Sequence, residues 1–222
     1  MRGAFEQLLL PLGSIAGPRH SGSEGIISIT RDALNSLPII SFKGRIHLVD
    51  SDAALESAIR SISRSKILGF DTETKPVFKV GVSHPPALVQ LADEGEAWIF
   101  QLKKLKVLAP LFELLSDTSI IKAGIALADD LKKLRELHPF QPGGFAEIGD
   151  LAKKLGFKQT GLRSLAGLVL GVRVSKREQR SNWARHRLKP SQVSYAATDA
   201  WISRELYIAL QKRLNGDLAC TS

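Results

Sequence analysis

The segment Ile67–Thr74, ILGFDTET, is an apolar run that ends in two acids spaced two residues apart. Ile67, Leu68 and Phe70 read as a strand buried in a sheet. Side chains alternate between the faces of a strand, so Asp71 and Glu73 share one face. Two carboxylates side by side at the end of a buried strand repel each other and resist leaving water. A fold built on this strand must supply either protons or a strong positive charge at that spot.

The 222 residues, 44% hydrophobic and 24% charged, suffice for one globular domain with a sizeable core. Residues 1–44 are rich in Gly, Ser, Pro and Ile without sustained periodicity and read as a flexible N-terminal arm. Within it, RDALNSLP forms one short helix stopped by Pro38. The opening MRGAFEQLLLPLGSIAG has an apolar patch, but Glu6 precedes it and Pro11 interrupts it, so it reads as arm and not as a signal peptide. The domain is expected over residues 45–215, with a tail at 216–222. No apolar run approaches the roughly 20 residues of a membrane-spanning helix. The one cysteine, Cys220, excludes a disulfide framework, argues against a thiolate zinc cage and suits a reducing, cytoplasmic setting. A formal charge of +9 points to an anionic partner such as nucleic acid.

The folded part starts at RIHLVDS, as a strand over Ile46–Val49. A helix over Ala53–Ser63 follows, its face set by Leu55, Ala58, Ile59 and Ile62. The opening strand comes next. ALVQLAD and EAWIFQL flank an Asp-Glu-Gly turn, so three strands close in sequence predict an antiparallel meander. Beyond them the chain alternates: a helix at Leu108–Leu115, a strand in SIIKAGI, a helix in ALADDLKKLREL and a short strand in FAEIGD. Helices are expected near Leu151–Leu155, Leu162–Leu170 and Gln192–Leu214. This order predicts an α/β fold with a mixed parallel and antiparallel central sheet flanked by helices.

Two of these helices carry acids on their apolar faces. At ~100° per residue, Leu127, Leu131, Leu134 and Leu137 form one stripe that contains Asp130, while Asp129 falls on the polar side. In the last helix, which Ser191 is expected to cap, Ile202, Leu206 and Leu210 make a face that also holds Tyr195 and Asp199, and Arg204 points the other way. A single inward acid has an ordinary explanation in a buried ion pair. Asp71, Glu73, Asp130 and Asp199 together form a set that divalent metal would satisfy, and carboxylate oxygens are what magnesium and manganese prefer. Two metals in such a site suit phosphoryl transfer. Tyr195, one turn before Asp199, can place its hydroxyl beside the metals, and with a pKa near 10 it suits orienting a water rather than deprotonating it.

FDTET, KAGIALADDLKKL and YAATD occur in the order of the DEDDy 3′–5′ exonucleases, and the chain resembles their ribonuclease D and Werner-helicase exonuclease branch over about residues 45–212. KQTGLRSLAGLVLG and SNWARHRLKPSQVSYAATDAW are similar to the segments that lead into that branch's last motif. The resemblance implies a ribonuclease H-like fold and release of nucleoside 5′-monophosphates one at a time from a 3′ end. It implies two divalent ions, Mg²⁺ or Mn²⁺: Asp71 bridges both, Glu73 and Asp199 complete the tighter site, and Asp130 supports the second, partly through water. It places the third acid six residues after Gly124, which selects Asp130 as the helical wheel does. It also implies a stand-alone exonuclease domain, since bacterial ribonuclease D carries helical C-terminal domains and the Werner protein a helicase.

For the substrate, single-stranded or 3′-overhang RNA or DNA, the basic loop VSKREQRSNWARHRLKP offers a clamp on backbone phosphates, with Arg180 and Arg185 among its cations and Trp183 as a stacking surface. Thr72 is expected beside the terminal nucleotide. The rival reading is a nucleic-acid-binding module that kept the fold and lost turnover. Retention of all four acids and the tyrosine favours the enzyme.

Overall fold

The computed structural model describes residues 27–77 and 83–216, so the apolar N-terminal patch and Cys220 lie outside the described residues. Six strands make one sheet: β1 (Arg45–Val49), β2 (Ile67–Thr74), β3 (Pro86–Ala92), β4 (Glu96–Gln101), β5 (Ile121–Gly124) and β6 (Phe145–Glu147). Their spatial order is β1-β4-β3-β2-β5-β6. β3 runs antiparallel to both β2 and β4, which is the expected meander, whereas β1 with β4, β2 with β5, and β5 with β6 pair in parallel. The turn between β3 and β4 is held by Asp93, whose Oδ1 accepts from the N–H groups of Gly95 (2.9 Å) and Glu96 (2.8 Å).

Helices cover both faces. α1 (Arg31–Ser36), α2 (Asp52–Ile62), α3 (Ala109–Ser116), α4 (Leu127–Leu137), α5 (Ile148–Lys154), α6 (Leu162–Leu170) and α7 (Pro190–Leu214) follow in chain order. One apolar core joins α2, α3 and α4 to the sheet through Leu68, Phe70, Val89 and Leu91. The other joins α5, α6 and α7 to the opposite face through Leu88, Ala92 and Ile99. β3 is buried along its whole length, as expected of a central strand covered on both sides.

Several local expectations need correction. β6 stops at Glu147, and Ile148 already opens α5, because the Glu147 carboxylate accepts the Gly149 N–H (3.0 Å) and caps that helix. The N-cap of α7 is Lys189 rather than Ser191; Pro190 occupies the first turn, and Gln192 Oε1 accepts the Lys189 N–H at 3.0 Å. Arg204 is mostly buried, with Nε donating to the Ile67 carbonyl (3.3 Å), because α7 packs on more than one side. Leu137 is 38% exposed, so the apolar stripe of α4 ends with Leu134.

The largest correction concerns the N-terminal segment. Residues 27–44 fall within the expected arm, yet Ile29, Leu34 and Phe42 are buried against the domain. Thr30 Oγ1 caps α1, and the Phe42 N–H donates to Thr198 Oγ1 at 3.1 Å. The apolar residues here follow no strand or helix period, so only their tertiary partners reveal that they belong to the core.

The approach of α7 to β2 places the site. A β-carbon at Gly69 would lie 1.7 Å from the Ala200 carbonyl oxygen and 2.7 Å from the Arg204 nitrogen. Only glycine lets the helix backbone rest directly on the strand. Gly69→Ala should therefore push α7 off β2, at a cost of about 1–3 kcal/mol of overpacking, and lower activity by moving Asp199 away from Asp71. Urea unfolding and turnover of the variant check this; an unchanged midpoint would show that the contact is slack.

Candidate active site

β2 carries Asp71 and Glu73 at its C-terminal end, beyond the stretch in which Ile67–Gly69 pair with β5. α7, seated on Gly69, brings Asp199 to the same spot. One oxygen from each of Asp71, Glu73 and Asp199 lies within 4.8 Å of the others, close enough to share a cation. Asp199 is 5% exposed, and among the described residues its Oδ1 is buried without a hydrogen-bond partner. The Tyr195 hydroxyl, one helical turn earlier, lies beside the Asp199 carboxylate and works to lower its pKa.

Asp130 stands beside this triad rather than in it. It sits in the first turn of α4 on the other face of the sheet, where Thr72 Oγ1 donates to its Oδ1 at 2.7 Å. Strand alternation explains the contact, since Thr72 faces opposite to Asp71 and Glu73. The Thr72 N–H also bonds Asp71 Oδ1 (2.9 Å), so Thr72 ties two of the acids together. α4 is fixed from behind by Glu147, whose carboxylate accepts the N–H groups of Ala126 (3.1 Å) and Leu127 (2.9 Å). Ala126 adopts φ 59°, a left-handed conformation that costs a non-glycine residue free energy and is offset by these bonds.

The electrostatics carry a consistent sign. Burial, then repulsion from Asp199 and Asp130, holds the Asp71 carboxyl well above the carboxylate range. Glu73 is pushed up to about 10 by burial and by Asp71. Asp199 rises to about 7 through burial, opposed by the Tyr195 hydroxyl and by the positive charge of Arg163. Burial also raises Asp130, and burial with the neighbouring Asp199 raises Tyr195. Carboxyls driven toward neutrality by burial and, for Asp71 and Glu73, by their acidic neighbours become stable anions when a cation joins them. With an all-oxygen donor set and an orphaned Asp199 oxygen, Asp71, Glu73 and Asp199 could hold a hard divalent ion.

Asp71, Thr72, Glu73, Tyr195 and Asp199 line a cleft of about 660 Å³. Arg163, Lys176 and Gln179 also line it. The basic loop thus reaches the cleft by its first residues only. Trp183, expected as a stacking surface, is 1% exposed and packs in the core with its ring centroid 5.8 Å from that of Tyr195. It supports the tyrosine from behind. Arg185 lines a separate, smaller hollow with Lys103 and Lys104. Arg180 is exposed and does not line the cleft of the acids. Sequence reasoning missed Arg163. The available signal was a lone cation in the first turn of an apolar helix, where the helix dipole disfavours positive charge.

A profile described as 3′–5′ exonuclease matches residues 46–215. The chain belongs to that family of nucleic-acid-degrading hydrolases. It is 31% identical over 183 residues to the mouse bifunctional 3′–5′ exonuclease/ATP-dependent helicase WRN, covering 78% of this chain and 13% of that protein. It is 30% identical over 172 residues to ribonuclease D of Pseudomonas paraeruginosa, covering 77% of this chain and 45% of the relative. The chain therefore spans less than half the length of either relative. Among solved structures, the Aedes aegypti Nibbler EXO domain superposes with a TM-score of 0.72 at 22% identity, covering 81% of this chain and 94% of that one. The fold is that of the ribonuclease D-like exonucleases, ribonuclease H-like as the motifs implied.

Proposed function

We propose that the protein hydrolyses the terminal phosphodiester bond at the 3′ end of a nucleic-acid strand and releases a nucleoside 5′-monophosphate, using two divalent ions, Mg²⁺ or Mn²⁺. The observation that carries this is the convergence of Asp71, Glu73 and Asp199 within 4.8 Å, beside a tyrosine hydroxyl. When bound, the ions would activate the attacking water and neutralise the leaving oxygen. Asp71, Glu73 and Asp199 would hold the tighter ion, and Asp130, braced by Thr72, would support the second.

The Tyr195 hydroxyl stays protonated at neutral pH, since burial and Asp199 raise it further from its ordinary value. It can donate to Asp199 and accept from a water, so it orients the nucleophile and does not take its proton. Arg163 brings positive charge to the cleft beside Asp199, where the scissile phosphate would add negative charge. The substrate is a single strand or a 3′ overhang, of RNA or DNA.

Chromatography of the released product from matched RNA and DNA strands tests the reading. Nucleoside 5′-monophosphate is expected; a 3′-monophosphate or a dinucleotide would contradict it. Tyr195→Phe should lower kcat by about 10²-fold, the scale of losing a positioned proton donor or acceptor, with oligonucleotide binding nearly unchanged. Equal loss of binding and turnover would contradict the water-orienting role.

A further inference from the structure

We propose that residues 27–40 form a wall of the active-site cleft that grips the substrate strand, with Arg31 meeting a backbone phosphate upstream of the terminal nucleotide; this rests on the function proposed above. These residues precede the stretch matched by the family model, residues 46–215. Ile29, Thr30, Arg31, Leu34 and Asn35 nonetheless line the same cleft as Asp71, Glu73 and Asp199.

The segment is fastened at both ends. The Ile29 N–H donates to Gln159 Oε1 (2.9 Å), and Gln159 Nε2 donates back to the Ile29 carbonyl (3.2 Å). Downstream, the Arg173 N–H donates to the Pro38 carbonyl (2.8 Å), and the Ile40 N–H donates to the Arg173 carbonyl (3.0 Å). Between these ties α1 beds on α6 at Gly167, where a β-carbon would lie 2.7 Å from Leu34 Cδ1 and 3.2 Å from Ile29 Cδ1. The buried side of α1 is thereby fixed. Arg31 and Asn35, four residues apart, occupy one exposed stripe of the helix and line the cleft.

Among the described residues Arg31 and Lys176 form no ion pair. Their charge is available to a ligand. With Arg163 they put three cations in a cleft whose other lining includes three acids reserved for metal. A polyanion that must lay its 3′ end on the acids finds its compensating charge on this wall. Arg can hold a phosphate with a bidentate pair of N–H donors, and Asn35 can add a neutral hydrogen bond.

The test is the salt dependence of oligonucleotide binding, read by fluorescence anisotropy of a labelled single strand on an Asp71→Asn background that does not cut it. Arg31→Gln should weaken binding several-fold and reduce the slope of log K against log salt by about 0.7, the signature of one lost phosphate contact on a single strand. Arg60→Gln, on α2 and paired with Glu56, removes the same charge away from the cleft and should leave the slope unchanged. Arg31 is exposed, so folding is not at stake. An Arg31→Gln slope equal to the parent's, or an equal drop for Arg60→Gln, overturns the wall while the nuclease reading stands. A parent chain that neither binds nor shortens the strand removes both.

Discussion

Asp71→Asn is expected to abolish shortening of a nucleic-acid strand while making the metal-free protein more stable. The two effects have one origin. Asp71 is the acid whose charge reaches Glu73 most strongly, and it stands within 4.8 Å of both Glu73 and Asp199. Asparagine keeps the shape and one oxygen but removes the charge a divalent ion requires. Turnover should fall by at least 10²–10³-fold, on the order seen when one preorganised electrostatic contact to a transition state is lost. Removing the charge also relieves repulsion on Glu73, so the variant should melt above the parent in chelator. A residue with a merely structural role would show the opposite: lower stability and partial activity. Thermal melts in EDTA beside a single-turnover assay separate the two cases.

Stability of the parent should depend on pH and metal together. Glu73 ionises near 10 and Asp199 near 7 in the folded chain, against ordinary values of 4.5 and 3.8. The folded state therefore binds more protons than the unfolded state between about pH 4 and those values. Stability contributed by the neutral carboxyls is full below pH 4 and is lost as pH rises, the Asp199 part by about 7 and the Glu73 part by about 10. Burial lowers Lys122 to about 8, which acts with the opposite sign above that pH, so the comparison belongs between pH 5.5 and pH 8. In chelator, melting at pH 8 should fall below that at pH 5.5 by several degrees, since about 1 kcal/mol moves Tm by roughly 2–4 °C in a domain of this size. Saturating Mn²⁺ should raise Tm at pH 8 and flatten the difference, with ~2.7 kcal/mol gained at a hundred times Kd. A Tm in EDTA that ignores pH over this range, with no rise on adding metal, would show that the acids are satisfied some other way.

The sheet and its acids were legible because each rests on a periodic signal. Asp71 and Glu73 follow from the two-residue repeat of a strand, and Asp199 with Tyr195 from the four-residue repeat of a helix. Asp130 was found the same way, but its position beside the triad was not, because that depends on α4 lying across the sheet and on the Thr72 hydroxyl. Gly69 gave no signal of its own; its role appears only when α7 rests on it. Trp183 shows the converse failure. A tryptophan in a basic loop looks like a stacking surface, yet the loop folds so that the indole packs behind Tyr195. The short helix in RDALNSLP was legible and is α1, but the burial of residues 27–44 was not, because irregular chain buries side chains one at a time, without a period to betray it.

The most direct measurement is degradation of a 5′-labelled strand with a 3′ overhang, incubated with the wild-type chain in Mg²⁺ or Mn²⁺ and resolved at single-nucleotide spacing. A ladder that shortens one nucleotide at a time from the 3′ end, and that EDTA stops, is expected. Binding without shortening in either metal would contradict the assignment and leave a nucleic-acid-binding module in its place.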